Sequence, residues 1–198
     1  MAEGNETARR GPYAKTASRR AEIIASATAI FSTHGYQGGS LRQIARQLDL
    51  SLTTVMHHFP TKVSLLAAVL DQEDRSDPDA EERSRRNGFI PMVLGIVERN
   101  LRRQELVRMF SIISAEATHP AHEAHDWLVN RYAAVTTSYG QLIAYDRGAG
   151  RITTPRDPEL LAALVVSGWE GIQIRWLTDG LDPVQAMRAL LVDLLRPV

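Results

Sequence analysis

Between residues 18 and 70 the apolar positions recur at helical spacing and are interrupted at short intervals by residues that start or stop helices. Ile23, Ile24, Ala27, Ile30 and Phe31 share one face at i, i+4, i+7 and i+8. This first helix is expected to stop at His34, with Gly35 in the left-handed capping conformation and Tyr36 packing back. Ser40 opens a second helix, and Gln43 three positions on completes a capping box. Leu41, Ile44, Ala45 and Leu48 turn inward there, leaving Arg42, Gln43, Arg46 and Gln47 to water or a partner. Asp49-Leu50 makes a turn, Ser51 caps a short third helix, and Pro60 ends it. Thr61 caps a fourth helix over about 61–75, striped by Val63, Leu66, Ala67 and Leu70.

That helix fades in an acidic segment around Asp77-Pro78, read as a loop or boundary. From Gly88 the pattern is apolar and helical nearly to the end, with helices expected at about 89–103, 105–117, 120–146, 158–178 and 183–195. Asp157-Pro158 and Asp182-Pro183 each supply an N-cap followed by proline in the first turn. No stretch alternates with period two between turn signals, so strands are not expected. The pattern predicts an all-α chain of about nine helices. The expected division is a flexible basic arm at 1–17 with Arg9, Arg10 and Lys15, a domain of short helices at 18–62 and a domain of longer helices at 63–198.

Charge sharpens this division. The chain has 23 basic and 23 acidic residues, yet residues 1–62 hold 8 basic and 4 acidic side chains. Residues 71–82 hold seven acidic side chains against Arg75 alone. A basic head on an acidic body suggests that only the head meets a polyanion. The 198 residues include no cysteine, which excludes disulfides, thiolate metal sites and cysteine nucleophiles. No apolar run reaches the ~18 residues of a membrane span and no signal peptide precedes the first helix, so a cytoplasmic protein is expected.

Two short helices joined by a tight turn inside a three-helix cluster describe a helix-turn-helix. Its second helix enters the DNA major groove, where base edges carry a distinguishable pattern of donors and acceptors. In Ser51–Phe59, Val55 and Phe59 should lock the helix onto the core, leaving Leu52, Thr53, Thr54 and His57 outward. Short hydroxyls and an apolar tip suit base edges and thymine methyls, and a histidine can donate to phosphate.

The stretch from Arg20 to Leu70 resembles the N-terminal domain of the TetR (tetracycline-repressor) family. The matching pieces are Ala27-x-x-x-Phe31-x-x-x-Gly35-Tyr36, the SLRQIARQL helix from Ser40, HHFPTK from His57 and LLAAVL ending at Leu70. The resemblance implies a dimeric regulator, most often a repressor, that binds a palindromic DNA operator until a small apolar or amphipathic effector enters the C-terminal domain. It implies phosphate or base contacts from Ser40, Arg42, Gln43 and Ser51, base contacts from Leu52, Thr53 and Thr54, and backbone contacts from His57, His58 and Lys62. Two positions depart from the family pattern. Asp49 stands where the turn usually has glycine, and Met56 where a phosphate-binding tyrosine is usual.

The remaining candidates lie further along the chain. Trp169 and Trp176, with Leu161, Leu164, Val165, Ile172 and Leu177, surround the 158–178 helix with apolar surface. That predicts a homodimer through helices 158–178 and 183–195. Met92, Ile96, Phe110, Ile113, Ser114, Trp127 and Trp169 could line an effector pocket. Gly168 and Gly171 could serve close helix packing or leave ligand space. Glu116, His119, His122, His125 and Asp126 suggest a metal cluster, but Pro120 breaks the helix between them, so no metal and no cofactor are expected. No nucleophile elbow, phosphate loop or HExxH points to an enzyme. The alternative is a helical small-molecule or metal-binding protein without specific DNA binding.

Overall fold

The computed structural model describes residues 12–74 and 80–198, so the predicted contribution of Arg9 and Arg10 and the Asp77-Pro78 boundary lie outside the described residues. Among those described there are ten helices and no strand. The chain divides into two compact units after Val69.

In the first unit α1 runs Pro12–Gly38, α2 Leu41–Gln47 and α3 Leu52–His58. Helix α4, Lys62–Asp74, begins in this unit and crosses the division. Two expectations for α1 are corrected. It starts at Pro12, placing Lys15 on the helix rather than in an arm, and it passes Gly35 instead of stopping at His34. A glycine inside a helix costs only about 1 kcal/mol against alanine, and the turns on either side outweigh it. The chain leaves the helix at Gly39, where a Cβ would stand 2.7 Å from the Phe31 ring. Ile23, Ala27, Phe31, Ile44, Val55, Phe59 and Leu65 are buried to within 1% and form the core.

The second unit contains α5 (Ala80–Asn87), α6 (Phe89–Leu101), α7 (Gln104–Glu116), α8 (His125–Gly148), α9 (Pro158–Asp179) and α10 (Pro183–Leu195). Helix α5 escaped the sequence pattern, because AEERSRRN has no apolar stripe to read. The expected 120–146 helix starts later, at His125. The imidazoles of His119 and His122 accept the N–H groups of Ala121 and Ala124, each at 3.2 Å, and hold residues 117–124 in turns. Asp157 and Asp182 cap α9 and α10 as expected, each accepting two backbone N–H groups ahead of a first-turn proline.

The core of this unit is built from Phe89, Val93, Val97, Ile143, Leu161, Val165, Met187 and Leu191. A buried carboxylate ties its ends together. Asp146 accepts the Phe89 N–H at 2.7 Å and Arg151 Nη1 at 2.8 Å, and the same guanidinium donates to the carbonyls of Arg85 and Arg86. Gly88, at φ 97, lets the chain pass this carboxylate, which lies 3.1 Å from where a Cβ would stand. Gly168 belongs to the packing of one chain on itself, since a Cβ there would meet Leu190 of α10. No described helix is long and apolar enough to cross a membrane.

Candidate nucleic-acid interface and effector cavity

The α2–α3 pair is assembled by its own caps. Ser40 Oγ accepts the Gln43 N–H at 3.2 Å, and Ser51 Oγ accepts the Thr54 N–H at 3.0 Å. Between the helices Asp49 takes φ 52, the left-handed conformation that aspartate tolerates better than most residues. The Leu50 N–H then returns to Ala45 O at 2.8 Å and closes the turn. Thr61 and Ser64 cap α4 reciprocally: Thr61 Oγ1 accepts the Ser64 N–H at 3.0 Å and Ser64 Oγ accepts the Thr61 N–H at 3.1 Å.

With Val55 and Phe59 buried, Thr53, Met56 and His57 are exposed, and Leu52, Thr54 and His58 are half-buried. Thr54 is less free than the pattern implies, because its hydroxyl lies 2.8 Å from Ser51 Oγ in the cap. Ser40, Arg42 and Arg46 are exposed and Gln43 is half-buried. Ser40, Arg42, Arg46, Leu50 and Leu52 line a shallow depression where α2 meets the start of α3. At the other end of α3 the Arg20 guanidinium sits 4.7 Å from the centre of the Phe59 ring. Burial, then the neighbouring His57, Arg20 and Arg19, hold the His58 pKa below its ordinary value. Burial also lowers the pKa of the half-buried Lys62 amine.

The second unit encloses a cavity of about 680 Å³. Of the seven residues expected to line it, Met92, Ile96, Phe110 and Trp169 do so. Ile113 is instead solid core at 1% exposure, because it lies on the inner face of α7. Trp127 stands behind Phe110, edge-on at 6.5 Å, with its indole N–H donating to Asp71 at 3.4 Å. Ser114 has its hydroxyl buried but is not part of the lining. The wall also holds polar groups that the apolar pattern missed. The Tyr132 hydroxyl donates to Glu170 Oε1 at 2.6 Å. Burial and this bond raise the Tyr132 pKa to about 12, and burial raises that of Glu170. Arg131 lies over Phe110 and Trp127, 5.2 and 5.6 Å from their centres. A sequence signal for this wall does exist: Tyr132 and Arg131 follow Leu128 on α8 by one helical turn.

Residues 23–69 match the family described as bacterial regulatory proteins, tetR family. That segment of the chain is a TetR-family N-terminal domain. It is similar to the HTH-type transcriptional repressor KstR of Rhodococcus jostii, 25% identical over 81% of this chain and 73% of that one. It is also similar to the HTH-type transcriptional repressor AcnR of Corynebacterium efficiens, 26% identical over 86% of this chain and 90% of that one. A crystal structure of a putative TetR-family regulator from Rhodococcus sp. has the same fold, with a TM-score of 0.71 and 24% identity over 90% of this chain and 98% of that one.

His119, His122 and His125 all bond the backbone of the turns around them. His125 Nδ1 lies 2.9 Å from Ala117 O, and His122 is 3.8 Å from Glu116. Helix α9 carries an exposed row, Leu160, Leu164, Ser167, Gly171 and Ile174, at alternating spacings of four and three. Gln185, Ala189 and Val192 form a similar exposed row on α10.

Proposed function

We propose that this TetR-family repressor binds a palindromic operator as a homodimer and is released by a small apolar or amphipathic effector. The observation that carries the reading is the exposed leading turn of α3, capped by Ser51 and flanked by Arg42 and Arg46. In this reading Thr53 and Leu52 meet base edges, and Ser40, Arg42, Gln43, Ser51, His57, His58 and Lys62 meet phosphate or nearby bases. Thr54 buttresses the cap and contacts DNA through its methyl group.

Dimerisation is supported by the exposed rows on α9 and α10. Leu160, Ile174 and Val192 are 55%, 54% and 48% exposed, an unusual cost for a lone subunit. Ser167 and Gly171 in the middle of the α9 row allow a second helix to approach closely. Two recognition helices must stand about 34–36 Å apart to reach successive major grooves. An effector that favours another separation lowers operator affinity by shifting the population, with α4 as the transmitting helix.

Selection of bound DNA from a random pool tests the reading together with sedimentation of the free protein. The expected results are an inverted repeat and a mass twice the 22.0 kDa of the chain. Leu164→Asp should yield a monomer that has lost the repeat. No enriched sequence, or a monomeric wild-type protein bound to a single half-site, would overturn it.

A further inference from the structure

A buried amide stands open in the cavity wall. Gln173 of α9 lines the cavity at 3% exposure, and its side chain has no hydrogen-bond partner among the described residues. Asp146, also buried in this unit, shows the usual outcome: it accepts the Phe89 N–H and Arg151 Nη1. A glutamine amide donates twice and accepts twice, and leaving it unpaired inside a protein is costly. Buried polar side chains nearly always find partners, so an open one in the lining of a hollow points to a group that enters the hollow. Water can take that place in the empty cavity, and a ligand that displaces it must supply the same bonds.

The surroundings set the charge of the entering group. Glu170 precedes Gln173 by three residues, so both stand on one face of α9, with Val166 and Trp169 as its apolar part. Glu170 Oε1 accepts the Tyr132 hydroxyl at 2.6 Å, which commits that proton. The Arg131 guanidinium acts on the same carboxylate and opposes the rise that burial causes in its pKa. A carboxylate and a guanidinium thus share this part of the wall, and an ion of either sign meets a like charge there. A neutral head meets none, and the amide offers it both a donor and an acceptor.

We infer that the effector carries a neutral hydrogen-bonding head, a carbonyl or a hydroxyl, held by the Gln173 amide, with its apolar body against Trp169, Phe110, Ile96 and Met92. This rests on the cavity being the effector site. Gln173 then sets specificity, because a ligand without a bonding group leaves the amide unpaired.

Four probes with one tail test this by titration calorimetry on the full chain: octanamide, octan-1-ol, octanoate and octyltrimethylammonium. Octanamide or octanol should bind at least about tenfold more tightly than either ion. In Gln173→Leu, which keeps the side chain's bulk and removes its amide, binding of the preferred neutral probe should weaken about tenfold. The ligand-free variant should melt no lower than the wild type, because leucine strands no polar group. A glutamine that merely held the fold would give a lower melting temperature with unchanged affinity, and that result overturns the assignment. Tightest binding by an ion also overturns it and leaves the cavity as a ligand site. Failure of all four to bind overturns both.

Discussion

The N-terminal unit packs Ile23, Phe31, Ile44, Val55 and Leu65 with no exposed surface and turns Ser40, Ser51 and Thr61 to the service of its own helix ends, whereas the C-terminal unit takes Asp146, Gln173 and Glu170 inside and leaves about 680 Å³ unfilled. A close-packed apolar core fixes the relative positions of α2 and α3, so that chemistry can be left to side chains on the surface. A hollow helical unit needs internal polar bonds to hold its shape and keeps room for a guest. One unit presents a surface, and the other surrounds a cavity.

The sharpest way to break this contrast is Phe59→Ala. Loss of a fully buried phenylalanine should cost about 3–5 kcal/mol and abolish DNA binding. All three tryptophans, Trp127, Trp169 and Trp176, lie in the second unit, so their fluorescence should keep its native maximum if the damage stays local. A red-shifted emission would show that the effect is not confined. Asp146→Ala makes the opposite cut. It strands the Phe89 N–H and the Arg151 guanidinium and should cost about 3 kcal/mol in chemical denaturation. Cavity-ligand binding should weaken with it.

Glu170→Gln sharpens the comparison without breaking it. Glutamine still accepts the Tyr132 hydroxyl but carries no charge. The pKa of Glu170 is raised above 4.5 by burial, so its stabilising share is present below that value and is lost as pH rises through the raised one. The wild-type protein should lose stability over that window and Glu170→Gln should lose less, read from urea midpoints at successive pH values. Asp49→Gly, at the left-handed turn position, has the smallest expected effect. It should raise stability by about 0.5 kcal/mol, since glycine takes positive φ without steric cost. A drop in melting temperature would contradict that.

The same contrast decides what could be read from the sequence. Caps at Ser40, Ser51, Asp157 and Asp182 and stripes such as Val55–Phe59 are local patterns, and they placed most helices within a residue or two. Helix α5 has no apolar stripe, and Gly35 was read as a stop although tertiary packing carries α1 past it. The cavity was half legible. Its apolar side follows from hydrophobic residues on helix faces, as at Met92 and Ile96. Its polar side does not, because Arg99, Arg131 and Glu170 look water-facing until folding sets them around a hollow. Ile113 lies elsewhere for the converse reason, since apolar character does not distinguish a cavity wall from the solid core behind it, and half-buried Trp127 is held off the wall by its contacts with Phe110 and Asp71.

In the proposed repressor the leading turn of α3 reads bases while the start of α4 holds the DNA backbone. DNA selection carried out in parallel on the wild-type protein, Thr53→Ala and Lys62→Ala tests it most directly. Thr53→Ala should change the preferred base at one position in each half-site. Lys62→Ala should keep the wild-type preference and bind every sequence more weakly. Identical base profiles for wild type and Thr53→Ala, or the same altered profile for both variants, would contradict the account.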